Sequence, residues 1–196
     1  MGSVNEDMKW GAVVEQQWAA WLKCKNPLFE ITHAPKRKFP GWDLMTKVPA
    51  GRCRYYEVKW DATAQSPWKS HRGNNTLKAT GNIYIEYENP RQGKPSGIAT
   101  SQAHYWVYCM LQAYDLVPLE EVESYRVQTF VLDKDKLYEM CKGGKYRVVE
   151  TLRDAPSGKV NAKGWLVPIS DIINNPKVSG LRMKVDFTDY IRTLFL

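Results

Sequence analysis

Two charged residues on a stretch that reads as a strand set the chemical question. In residues 52–61, RCRYYEVKWD, Tyr55, Tyr56, Val58 and Trp60 favour a pleated, half-buried surface. Glu57 and Lys59 stand two apart in it, so a strand points both to one face. Such a pair is either a surface ion pair or part of a metal-dependent active site. Asp43 opens the preceding alternating stretch. The turn Pro49-Ala50-Gly51 returns the chain antiparallel and brings Asp43 towards Glu57. Two carboxylates brought together repel unless a cation lies between them. An oxygen-rich site suits Mg²⁺, held by one or two carboxylates, waters and a substrate phosphate. Mn²⁺ also suits such oxygen ligands. A lysine beside the site positions or deprotonates an attacking water, or offsets charge growing on a phosphate.

Three segments must position these groups. Residues 4–25 carry Trp10, Val14, Trp18, Trp21 and Leu22 on one stripe of a helix, which Asn26-Pro27 ends. Residues 28–32, 42–48 and 52–60 then read as three strands in a meander. Glu15 borders the helix stripe, with Gly11 one turn before it and Ala19 one turn after. Those small residues would let the helix approach the sheet. A carboxylate at the margin of a buried face is costly unless it is paired or metal-bound.

Downstream, residues 62–81 are polar and rich in turn formers, a long loop of the kind that often carries function. Residues 82–88, NIYIEYE, alternate as a strand, and 89–97 form a basic turn. Residues 98–114 read as a second helix capped by Thr100 or Ser101. A strand at 125–132 and a helix at 133–142 follow, the DKDK run serving there as turn and cap. Residues 145–151 and 164–169 form a C-terminal hairpin, and the apolar end, 185–196, packs back on the body. With no linker visible, residues 1–196 make one domain of α/β (α+β) class, with a central mixed β-sheet flanked by helices.

Glu15 on a first helix, Asp43, and Glu57-Val58-Lys59 on a strand together resemble the PD-(D/E)xK nuclease superfamily. The helix run GAVVEQQWAAWL is similar to archaeal Holliday-junction resolvases, where a glycine precedes a helix glutamate by four. The run TGNIYIEYENP and the PSGIATSQAHYWVY after it resemble small phage-encoded nucleases. The likeness covers residues 8 to 112. It implies a restriction-endonuclease-like core in αβββαβ order, here with residues 82–88 as an inserted strand. It also implies that Asp43, Glu57 and the Val58 backbone carbonyl ligate Mg²⁺. Lys59 then serves the water, and Glu15 binds or orients a second metal or water. One departure is Trp42, where the family often has proline before the aspartate.

Glu86 is either a solvent-facing strand residue or a fourth acidic group at the site. Gln102 falls in the first turn of the expected second helix, where it meets a phosphate or simply faces water. Basic clusters flank each acidic candidate in the chain. Lys36, Arg37 and Lys38 precede Asp43. Lys69, His71, Arg72 and Lys78 follow Lys59. Arg91 and Lys94 follow Glu86. These are either ordinary solvated loops or a ring that neutralises DNA phosphates, and Trp68 among them is suited to stacking on a base. The net charge of +7 agrees with an anionic partner.

Cys24, Cys53, Cys109 and Cys141 form no C-x-x-C pair, so no zinc site is indicated. No signal peptide or bilayer-length apolar run is visible, which leads to an intracellular, cytoplasmic expectation, in a host cell if the gene is a phage's. The function expected is Mg²⁺-dependent hydrolysis of DNA phosphodiesters, on branched DNA or free ends, without a membrane and with a symmetric homodimer in view. The rivals are a non-catalytic nucleic-acid-binding module and a sequence-specific restriction endonuclease.

Overall fold

The computed structural model describes residues 4–35, 41–49, 51–61, 64, 68–69, 76–111, 127–152, 160–175 and 178–183. Helix α1 spans Val4–Lys25 and is followed by β1 (Glu30–His33), β2 (Leu44–Lys47) and β3 (Arg54–Asp61). Next come the short β4 (Trp68–Lys69) and β5 (Thr76–Leu77), then β6 (Asn82–Asn89), β7 (Lys94–Pro95) and a single 3-10 turn at Gly97–Ala99. The chain continues through β8 (Tyr105–Leu111), β9 (Val127–Asp133), α2 (Lys134–Lys142), β10 (Arg147–Leu152), β11 (Val160–Pro168), α3 (Ile169–Ile173) and β12 (Ser179–Met183).

The main sheet has the order β1-β2-β3-β8-β9-β12 and is mixed: β3 and β8 run parallel, all other neighbours antiparallel. A second sheet, β10-β11-β6-β7, is antiparallel throughout, and β4 pairs with β5 alone. The class is therefore α+β with a mixed central sheet.

The periodicity of α1 explains its placement. Trp10, Val14, Trp18 and Leu22 are all buried, and Val14, Trp18 and Leu22 pack on Leu44, Tyr56, Val58 and Val107 of the sheet. Each such side chain contributes about 1.5–3 kcal/mol by leaving water. Lys23 and Lys25 in the last turn complement the negative end of the helix dipole. Asn26 closes it, its backbone N–H donating to Leu22 O at 3.0 Å and its Oδ1 accepting from Leu28 N at 3.1 Å. A Cβ on Gly11 would meet open space, so close helix–sheet approach does not depend on that glycine. Ala19, by contrast, is buried.

The opposite face of the main sheet carries Trp106, Tyr108, Met110, Phe130 and Leu132. These pack against Ile83, Ile85 and Trp165 of the second sheet and against Leu137 of α2. The sheet is thus covered on both faces, by α1 on one and by the second sheet with α2 on the other.

The expected meander of three strands after the first helix is present. The second helix is not: residues 105–111 are strand β8, preceded only by the 3-10 turn. The αβββαβ order is corrected accordingly, because the residues where a helix was expected form a strand of the main sheet. The reason is burial. Trp106, Val107, Tyr108, Cys109 and Met110 are each at most 2% exposed, so both faces of β8 are apolar and no alternation marks it as a strand. Ser101 does not cap a helix. Its hydroxyl donates to Gly41 O at 3.3 Å and accepts from Ala103 N at 3.2 Å.

The hairpin β10–β11 forms where expected, with a longer second strand and a register shift at Thr151/Leu152. Asp133 caps α2, its carboxylate accepting from Lys136 N at 3.1 Å, as the DKDK run implied. Strand β12 and helix α3 were not foreseen, and the apolar end 185–196 lies outside the described residues.

Candidate active site

The site begins where β2 gives out. Its register with β3 is Leu44↔Tyr56, Met45↔Tyr55 and Thr46↔Arg54, and the last backbone link is Asp43 N–H to Tyr56 O at 2.8 Å. Val58 is the next residue of β3 to face that edge, and no strand residue is left to meet it. The Asp43 side chain takes over: Oδ2 accepts the Val58 N–H at 2.7 Å. Strand geometry turns the Val58 carbonyl to the same open edge.

Glu57 and Lys59 point to the other face of β3, in register with Trp106 and Tyr108 of β8. Tyr56 and Val58 are buried against α1, so the strand is anchored through one face and presents its charges on the other. Lys59 Nζ lies 2.5 Å from Glu57 Oε1 and 5.4 Å from the centroid of the Trp106 ring, a cation–π contact. The Glu57 side chain is 14% exposed and that of Lys59 37%.

Glu15 of α1 lies within the field of all three. Burial, then the charge of Asp43, push its carboxyl up to about 7; Lys59 opposes this and Glu57 adds to it. Burial, then Glu57, push Asp43 up to about 6, against the pull of Lys59 and the Val58 amide. For Lys59, burial favours the neutral amine, but Glu57 and Asp43 outweigh it and raise the pKa, so the group stays an ammonium at neutral pH. Among the described residues three carboxyls thus share one ammonium.

Among the described residues no three His, Cys, Asp or Glu side chains already converge as a metal cage. The donor set nonetheless fits a hard divalent cation. Mg²⁺ takes one or two carboxylates and completes its octahedron with waters and phosphate. Asp43 commits Oδ2 to Val58 and Glu57 commits Oε1 to Lys59, which leaves Oδ1 and Oε2 to offer. The excess of buried acid is what a cation would offset.

A cavity of about 190 Å³ opens beside Lys59, between the two sheets. Lys59, Trp60, Asp61, Tyr84, Glu86, Gly97, Trp106 and Tyr108 line it. Glu86 therefore joins the site's surroundings and is not a plain solvent-facing strand residue. Ser96 Oγ donates to its Oε1 at 2.7 Å. Asp61 ends β3 as a loop cap, its Oδ1 accepting from Ala64 N at 2.9 Å.

The structure does not gather every sequence candidate. Lys36, Arg37, Lys38, His71 and Arg72 lie outside the described residues. Trp68 and Lys69 form β4 opposite Leu77 and Thr76, so the long loop holds a small hairpin. Lys78, Arg91 and Lys94 are exposed, Lys94 on β7 opposite Asn89. Gln102 has no helix N-terminus behind it. It is exposed, and its backbone N–H donates to Gly41 O at 2.8 Å, tying its loop to the chain two residues before Asp43.

Sequence reasoning missed several supports. Trp106 lies beneath the lysine, Ser96 holds Glu86, and His104 clasps the start of β3. The His104 backbone N–H donates to Tyr55 O at 2.9 Å while its Nδ1 accepts from Tyr55 N at 3.0 Å. The Ser-Gly pair at 96–97 ending a basic turn was the one signal available for Ser96. Comparison of the chain with family models, curated proteins and solved structures returned no match.

Proposed function

We propose that this protein is a Mg²⁺-dependent deoxyribonuclease with a restriction-endonuclease-like site. The observation that carries the reading is that Asp43 meets the edge of β3 left open by β2 while Glu57 and Lys59 pair on one face of that strand, with Glu15 in the same field. Asp43 and Glu57 would hold the divalent cation, which when bound would supply Lewis acidity and lower the pKa of water.

The chain's own groups do the rest. Asp43 is held by the Val58 amide and Glu57 by Lys59, so each carboxylate keeps one oxygen to offer a cation. Lys59 keeps its proton and neutralises charge as the phosphorane-like state forms, or holds the water in line with the departing oxygen. Glu15, ready to exchange a proton near neutrality, accepts one from that water. The exposed cations Lys78, Arg91 and Lys94 suit backbone phosphates. Among the described residues no module for reading base sequence is visible, which favours branched DNA or free ends as substrate.

The departure from the αβββαβ order puts strand β8 beside β3, where it sets Trp106 and Tyr108 in register with Glu57 and Lys59. The test is cleavage of supercoiled, linear and four-way-junction DNA with Mg²⁺, Mn²⁺ or EDTA. Cation-dependent cleavage lost in Glu57→Ala and Lys59→Ala is expected. DNA binding without cleavage under any cation would instead mark a binding module, and discrete fragments a sequence-specific enzyme.

A further inference from the structure

The bridge between Lys59 and Glu57 competes with cation binding at Glu57. The ammonium sits 2.5 Å from Glu57 Oε1, so it already occupies part of the acid that a divalent cation would use. A lysine so close to a bound cation would be repelled by it. It needs a second place to go, with room, a counter-charge and an acceptor.

The cavity offers all three. It lies between the main and second sheets, has about 190 Å³ of space, and is lined by Lys59 on one side and Glu86 on the other. Trp106 flanks the route, its ring already 5.4 Å from the Lys59 nitrogen. The Glu86 carboxylate is held in place: Ser96 Oγ donates to Oε1, which leaves Oε2 to accept. The backbone behind it is also braced. Gly97 sits at φ +51°, and a Cβ there would come within 2.3 Å of Glu86 O, so the 3-10 turn presses directly on the β6 backbone. The charge of Glu86 is felt at Lys59 as it stands. A four-carbon stem gives the lysine the freedom to swing.

We propose that Lys59 docks alternately on Glu57 and Glu86, leaving Glu57 for Glu86 when a divalent cation binds at Asp43 and Glu57. Glu86 is then a positioning residue that sets cation affinity without ligating the ion. This rests on the cation-dependent reading of the site.

The experiment is calorimetric titration of Mn²⁺ into the DNA-free protein at about pH 8, where the carboxyls are ionised. Glu86→Gln keeps the size and an acceptor for Ser96 but removes the charge. It should raise Kd about tenfold. Lys59→Gln removes the displaced group and should bind at least as tightly as the native chain. In the Lys59→Gln background, adding Glu86→Gln should change Kd by less than about twofold, because no lysine remains to be received. Ser96→Ala, which only loosens the Glu86 carboxylate, should raise Kd about threefold and carries the same test should Glu86→Gln not fold. An unchanged Kd in Glu86→Gln, or an equal shift in both backgrounds, overturns the proposal while leaving the nuclease reading intact. Absence of cation binding by the native chain overturns both.

Discussion

The Asp43 carboxylate receives the Val58 amide at 2.7 Å, so a side chain completes the hydrogen-bond ladder that β2 leaves unfinished. The contact does two jobs. It satisfies a partly buried backbone donor, and it fixes which carboxylate oxygen remains to face the site. The two jobs separate by mutation. In Asp43→Asn the amide oxygen still accepts from Val58, so the fold is expected to hold while DNA cleavage falls by about 100-fold or more. In Asp43→Ala the Val58 N–H loses its partner, at a cost of about 1–3 kcal/mol. Urea denaturation beside single-turnover cleavage distinguishes the two.

Lys59 is expected to be irreplaceable by arginine. The flat guanidinium cannot reproduce a point charge lying between Glu57 and the Trp106 face. Lys59→Arg and Lys59→Met should each reduce the rate by about 10²–10⁴-fold. DNA affinity, measured by anisotropy in Ca²⁺, should change little.

The raised pKa values of Glu15 and Asp43 set the pH behaviour. Folding raises both carboxyls above their ordinary range, so the folded state holds these protons more tightly than the unfolded chain does. Their contribution to stability is full below about pH 4 and is lost as pH rises through about 6 for Asp43 and about 7 for Glu15. The Tm of Glu15→Gln should therefore fall less than that of the native chain between those limits. Cation affinity runs the other way, since bound cation requires the ionised acids. It should be weak below pH 6 and strengthen through pH 7. Thermal scans across pH, with and without Mg²⁺, check both slopes.

Gly97→Ala should cost more than its size suggests. The residue combines φ +51° with contact on the Glu86 backbone, so a methyl group meets both strain and overlap. A loss of about 1–3 kcal/mol is expected from the strained backbone. Gly81→Ala provides the control, because φ is also positive there, at +67°, but the Cβ would meet open space. The difference between the two in denaturant midpoint isolates the overlap.

The parts of the fold that were legible in the sequence are those with one wet face. Helix α1 showed its stripe because its other side meets water, and β6 showed its alternation because Ile83 and Ile85 are buried while Asn82, Tyr84 and Glu86 are only half-buried. β8 was read as a helix because Trp106 to Met110 are buried on both sides and carry no period. The site divides along a similar line. Asp43, Glu57 and Lys59 were found because charge on a strand needs a reason. The Ser96 contact with Glu86 across the β6–β7 hairpin was not read from the basic turn, nor was the clasp of His104 on Tyr55, which depends on the packing of segments 49 residues apart. No local pattern encodes a contact of that range.

The clasp of His104 on Tyr55 spans 49 residues of sequence and heads the parallel pairing of β3 with β8. Closing a loop of that length costs about 3.5 kcal/mol of chain entropy before the pairing returns anything. The central pair of strands therefore assembles late, and its neighbour β9 must follow it off the ribosome before the sheet is whole. Folding of this chain is expected to be slow for its size, in the millisecond to second range of proteins dominated by distant contacts. A nascent chain halted before β8 would carry Asp43, Glu57 and Lys59 with β3 paired to β2 alone, so the proposed site would lack Trp106 and the strand on the other edge of β3 until β8 emerges.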